Sequence, residues 1–248
     1  MSAGTDCSLR TAISGNKPLS ELGKALREAL GMIVSADPDV TAAAWASLRF
    51  SLSSTLLAAL IGTPSGIWLA STRTRFRRMA EDILNTLLAV PTVAVGLFVF
   101  TLIYSQGPFG QFRLLFSPAA IILGQTVLIL PLVAALVCSA VSMVDPIVRE
   151  TARTLGAGQL RTTATMAAEA RAALLVACLI AFGRVIGEVG ISLLLGGNIL
   201  GYTRTITTAI ALQTSKGEFA LGLALGIILL VVAFLVNIVV RVIGRRPS

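Results

Sequence analysis

The chain of 248 residues contains no histidine. The commonest general base and metal ligand is therefore missing, which counts against an intramembrane hydrolase. Charged residues are scarce at 13%, against about 25% in soluble domains. Aromatics are scarcer still at 6%, so the net charge of +8 and pI near 10.4 lack the aromatic interleaving of a nucleic-acid binder. Because the basic residues lie between apolar runs, they read as topology signals, with no nucleic-acid partner expected. Cys7, Cys138 and Cys178 have no metal-ligand spacing and support neither a zinc site nor a disulfide framework. No P-loop, Gly-x-Ser-x-Gly elbow or His-Glu-x-x-His occurs, so no catalytic residue, cofactor or metal is expected and nothing here binds ATP. The opening residues lack the apolar core of a signal peptide, and Cys7 lacks the apolar run of a lipoprotein signal. The N-terminus is expected to be retained.

Apolar residues are what the chain has in quantity: 55% of it is hydrophobic and the mean hydropathy is +0.87. It reads as an all-α integral membrane protein. A helix crossing about 30 Å of hydrocarbon needs about 20 apolar residues, and five segments qualify, at about 50–71, 83–104, 118–141, 172–195 and 219–240, all charge-free except the fourth, which carries Arg184 and Glu188. Pro64, Pro91 and Pro131 fall inside them and predict kinks. Before them, Ser20 can cap a short amphipathic helix carrying Leu22, Leu26, Leu30 and Ile33 on one face, ended by Asp37-Pro38-Asp39. Small residues at four-residue spacing (Gly62 and Gly66, Gly183 and Gly187, Gly222 and Gly226) suggest closely approaching helices.

Basic residues set the orientation. Arg73, Arg75, Arg77 and Arg78 follow the first span, Arg149, Arg153, Arg161 and Arg171 lie between the third and fourth, and Arg241, Arg245 and Arg246 follow the last. These loops read as cytoplasmic, which with five spans leaves the N-terminus outside. Arg10, Lys17, Lys24 and Arg27 fit that side less well, and six passes with a cytoplasmic N-terminus is the alternative.

Three stretches carry polar chemistry. Asp145 to Arg171 holds seven charged residues and breaks at Gly156-Ala157-Gly158. Pro146 starts a short helix there, Glu150 and Arg153 are spaced to pair along it, and a second helix runs from Gln159 into the fourth span. Arg184, near the middle of that span, and Glu188, one turn on, can form an ion pair; it is either a helix lock or an element of a pathway. From Gly201 to Ser215 one arginine, Arg204, stands among hydroxyls that include Thr203 and Thr205. A guanidinium with several hydroxyls could hold a tetrahedral oxyanion, or the threonines could bond back to carbonyls.

Glu150-Thr151-Ala152, followed by Leu155-Gly156-Ala157, resembles the "EAA" loop of ABC importer permeases. Two departures are Thr151 in place of the first Ala and the absence of a closing Leu-Pro pair. The segment from Arg184 to Glu188 is similar to the Arg-x-x-Gly-Glu of molybdate- and sulfate-type permeases. Gly196-Gly197-Asn198-Ile199 to Thr208 and Thr214 to Phe219 look like the tungstate branch. The resemblance runs from about residue 45 to the C-terminus. It implies a type I ABC importer permease (MetI-like) fold, an N-terminal segment 1–44, and a transmembrane permease domain 45–244 with a cytoplasmic coupling loop 142–171. It implies a subunit of the inner membrane that moves a tetrahedral oxyanion, with tungstate as the expected cargo and molybdate or sulfate as alternatives. Its expected partners are the lipid bilayer, a second copy of the chain, separate ATPase subunits docking on Glu150 to Ala157, and an extracytoplasmic oxyanion-binding protein. The readings outside this family are a membrane scaffold and an ion-gradient-driven transporter.

Overall fold

Asp37 divides the first two helices. Helix α1 (Lys17–Val34) ends just before it, and its carboxylate accepts from the N–H groups of Asp39 and Val40 to cap α2 (Pro38–Ser71), with Pro38 in the first turn. The computed structural model describes residues 17–72 and 75–244, excepting the side chains of residues 17–23 and of Phe76. Cys7, Arg10, Arg73, Arg245 and Arg246 lie outside the described residues. Helix α1 begins three residues before the expected Ser20, at Lys17, because Pro18 fits a first helical turn. It does not lie alone at a surface: Ala29 is buried with Val40, Ala43, Ala224 and Leu225.

After α2 come α3 (Arg75–Leu88), α4 (Thr92–Ile103), α5 (Pro118–Ser142), α6 (Pro146–Thr154), α7 (Gln159–Glu169), α8 (Arg171–Ile186), α9 (Gly190–Gly196), α10 (Ile206–Lys216) and α11 (Phe219–Gly244). No strand occurs among the described residues. Helices α2, α5 and α11 are long and apolar enough to cross a membrane, and the total is five if each of two bent pairs counts as one crossing.

The kink expected at Pro91 is present, and other expectations change. The second span is not straight, because α3 and α4 meet at 96°; Pro91 stands at the bend, has no N–H to give, and disfavours helix at Val90. Pro64 and Pro131, by contrast, interrupt neither α2 nor α5. The helix from Gln159 does not run on into the fourth span, since α7 and α8 meet at 66° around Ala170. That span is itself broken at 187–189, between α8 and α9, so Arg184 lies in the last turn of α8 and not at mid-helix. The 44/45 division falls inside α2, which is continuous across it.

Of the three glycine pairs, one produces a close approach. A Cβ on Gly66 would stand 2.6 Å from the Ala134 carbonyl oxygen, and one on Gly62 would stand 2.9 Å from Val133, so α2 rests directly on α5. Gly187 and Gly226 have nothing within 4 Å of that position. Gly66→Ala is therefore expected to destabilise by about 1–3 kcal/mol through overpacking and to lower the melting temperature in detergent, while Gly226→Ala leaves it unchanged. Equal melting temperatures for the two variants would contradict the α2–α5 contact.

Candidate functional site

The break in the fourth crossing is held by one side chain. Glu188, with its side chain only 4% exposed, accepts from the Arg184 guanidinium at 3.0 Å through Oε2. Its Oε1 accepts from the N–H groups of Gly190 at 3.1 Å and Ile191 at 3.5 Å. The carboxylate thus closes the end of α8 and caps the start of α9, satisfying donors that apolar surroundings would leave costly. Its own carbonyl accepts from Thr207 Oγ1 at 2.9 Å, which ties α10 to the same point. Arg184 is 46% exposed along its side chain, so the pair faces the edge of the chain on one side and its interior on the other.

Helix α9 is seated by small residues and a polar chain. Gly96 on α4 and Gly124 on α5 leave room for Ile191, Leu194 and Leu195. Ser54 Oγ donates to Gln125 Oε1 at 3.1 Å, and Gln125 Nε2 donates to Ser192 Oγ at 3.4 Å. All three are buried, and together they fasten α2, α5 and α9 in the manner of polar contacts between membrane helices. Sequence reading missed this chain; a glutamine inside an otherwise apolar run was the available signal.

The segment after α9 is tightly self-bonded. Gly197 and Asn198 both adopt positive φ, +67° and +53°, turning the chain back. Thr203 Oγ1 donates to the Gly196 carbonyl and accepts from Ile199 N–H. Thr205 and Thr208 form a capping box at the start of α10, and Ser47 Oγ accepts from Ile206 N–H at 2.7 Å. These threonines are buried, and their hydroxyls serve the backbone. The idea that they form an open cluster of donors for an anion is therefore not what the geometry offers, because a hydroxyl bonded to a carbonyl has given up its proton. Arg204 differs: Nε donates to Asn198 Oδ1 at 3.2 Å and NH2 to the Asn198 carbonyl at 3.4 Å. Its planar fork is thereby fixed, with no carboxylate bonded to it.

In the polar stretch, Asp145 caps α6 by accepting from Ile147 N–H at 2.9 Å. At the other end Ala157 N–H donates to the Ala152 carbonyl and Gly156 N–H to that of Arg153, with Gly156 at φ +82°. These two bonds make the Schellman arrangement, and the left-handed residue that it needs is the glycine. Glu150 and Arg153 do not form the ion pair that their spacing allows; both point outward, as does Thr151. Ala152 is buried against the rest of the turn, whereas Leu155 is 82% and Leu160 85% exposed. The turn thus bares two leucines at its tip.

The chain matches, over residues 62–248, the family described as binding-protein-dependent transport system inner membrane component. It is 41% identical over 219 residues to a tungstate uptake system permease protein of Campylobacter jejuni, covering 88% of this chain and 92% of that one. It is 35% identical over 219 residues to a tungstate uptake system permease protein of Peptoclostridium acidaminophilum, covering 88% and 96%. The fold is similar to a chain in a crystal structure of a bacterial alginate ABC transporter in complex with an alginate pentasaccharide-bound periplasmic protein. That likeness has a TM-score of 0.72 at 19% identity and covers 94% of this chain and 89% of that one.

Because Glu188 is buried and Arg184 half-exposed, the two partners are not equivalent. Arg184→Ala leaves a buried carboxylate without its cation and is expected to cost of order 2 kcal/mol. Glu188→Gln leaves an arginine that can turn away and an amide oxygen that still accepts from Gly190. The double variant should therefore melt at a higher temperature than Arg184→Ala alone; an equal or lower melting temperature would contradict this division of roles.

Proposed function

Since the chain belongs to the binding-protein-dependent transport system inner membrane components, we propose that it is the membrane-spanning subunit of an ATP-driven importer of a tetrahedral oxyanion, with tungstate as the cargo. The identities to two tungstate permeases over most of both chains support that cargo; molybdate and sulfate are the alternatives within the same mechanism. The chain itself performs no covalent chemistry. Energy enters as a coupling free energy, when separate ATPase subunits close on bound nucleotide and move the helices docked on them.

The observation that carries this reading is the turn at Gly156. Glu150, Thr151, Ala152, Leu155, Gly156 and Ala157 form a short rigid helix end whose exposed leucine, with Leu160 beyond it, offers apolar surface for an ATPase groove. The arginines after α2, those between α5 and α8, and Arg241 at the end of α11 lie in loops that the positive-inside rule assigns to the cytoplasm. Five crossings then carry the N-terminal segment 1–44 and the loop 197–205 to the outer side, where an extracytoplasmic binding protein delivers the anion. The permease domain 45–244 presents its coupling loop 142–171 inside. One chain of this size encloses no path, so the pathway lies at the two-fold interface with a second copy. Arg184 and Glu188 act chiefly as the lock described above. Thr203 and Thr205 act by fixing the loop that carries Arg204, the outer gate residue.

Proteoliposomes containing this chain, its ATPase and its binding protein test the proposal. ATP-dependent tungstate uptake is expected to fall at least about tenfold in the Leu155→Ser, Leu160→Ser double variant. The melting temperature should hold, since substitutions at exposed sites usually change stability by less than about 0.5 kcal/mol. Full uptake by that variant would remove the docking assignment. Uptake that ignores ATP and follows a proton or sodium gradient would overturn the importer reading altogether.

A further inference from the structure

Resting on that reading and extending it, we infer that a small cavity between the first third of α2 and the 200–204 loop is an oxyanion-receiving site, in which Arg49 acts together with Arg204. The cavity has a volume of about 220 Å³ and is lined by Asp39, Trp45, Arg49, Tyr202 and Arg204, with Phe50 and Pro118 among its apolar walls. A water molecule's share of the liquid is about 30 Å³, so a four-oxygen anion fits with part of its hydration shell. The site is near the outer end of the proposed pathway and would hold the anion before the inner path opens.

Charge bookkeeping separates this cavity from the other arginine sites. Arg77 is bonded to Glu81 at 2.7 Å beside a different cavity, and Arg184 to Glu188 at 3.0 Å; both cations are already neutralised. Among the described residues Arg204 is held by Asn198 alone. Arg49 has neither a hydrogen bond nor an ion pair to any described residue, though it sits on a helix followed by a charge-free run to Ser71. Asp39 precedes it by ten residues, about 15 Å along the helix axis at 1.5 Å per residue, so it cannot neutralise Arg49 through a direct pair. Two guanidinium groups sharing one partly enclosed space repel each other, and an anion between them removes that repulsion while taking directed N–H bonds from both. Trp45 and Tyr202 also line the cavity, and their indole N–H and hydroxyl are neutral donors. Asp39 sets a limit, because its carboxylate opposes a dianion and keeps the site weak enough to release it.

Trp45 supplies a direct readout. The chain has two tryptophans, so Trp68→Phe leaves Trp45 as the sole indole. The permease in lipid nanodiscs is titrated with sodium tungstate at constant ionic strength, followed by molybdate and sulfate. A saturable change in Trp45 fluorescence is expected with the oxyanions and not with chloride. Arg49→Gln should raise the midpoint at least about tenfold, as for the loss of a charged hydrogen-bonding partner. Arg49→Lys should stay within a few-fold of the parent, which guards against misfolding, and Asp39→Asn should lower the midpoint. An absent or unsaturable signal, or a midpoint indifferent to Arg49→Gln, overturns the site. So does an Arg49→Gln variant that loses association with the tungstate-free binding protein while keeping its midpoint, since Arg49 would then be a docking residue. ATP-dependent uptake measured on the same variants keeps the two ideas separate. If uptake stays ATP-driven while the cavity fails these tests, only the cavity is rejected; if uptake ignores ATP, the importer reading fails whatever the titration shows.

Discussion

Glu188 is the point on which the packing of α8, α9 and α10 depends. Its carboxylate takes the Arg184 guanidinium and the first N–H groups of α9, and its carbonyl takes the Thr207 hydroxyl. One residue thus joins α8, α9 and α10 at a break where an apolar environment would punish any unsatisfied backbone group. Without the break, α8 and α9 would form one straight crossing, and the 197–205 loop would not turn back beside α2. With it, Arg204 lines the same cavity as Arg49. The ion pair is therefore a structural device with a positional consequence, which is why its two members are buried to such different extents.

Four of the arginines contrast in what they face. Arg77 and Arg184 each have a carboxylate on the next turn and hold helices in place. Arg49 and Arg204 have none, and on the proposed topology they sit where an anion arrives. The paired two fix architecture, and the two that line the cavity are the ones that the proposal gives to a dianion. At the opposite end the same economy holds for apolar surface: Ala152 is packed inside the coupling turn, while Leu155 and Leu160 are left bare. On the proposed function those leucines are covered by the ATPase, so the chain is incomplete at both ends in a way that its partners complete.

Much of this was legible in the sequence, because hydrophobicity and charge are one-dimensional properties. The apolar runs gave the crossings, the arginines suggested their direction, and Gly156 marked the turn before its φ was known. The prolines marked possible bends but not which would form or how sharply: the chain folds by 96° at Pro91, while Pro64 and Pro131 leave their helices continuous. The break at 187–189 was hidden because a run is equally apolar whether it is straight or broken, although a carboxylate followed two residues later by a glycine N–H is a capping signal in retrospect. The threonines after Gly201 left two readings open because composition counts hydroxyls without saying which carbonyls they face. Arg49 was overlooked because a single arginine at the edge of an apolar run looks like a boundary marker, and only the folded chain shows what stands across from it.

The central claim is that the Gly156 turn transmits the movement of an ATPase into a chain whose α8, α9 and α10 are locked at Glu188. A spin label at Gln159→Cys, exposed beside that turn, reports it directly in the assembled transporter with its native cysteines replaced. The distance between the labels of the two copies should shorten by several ångströms when non-hydrolysable nucleotide closes the ATPases; a distance that does not change with nucleotide would contradict the account.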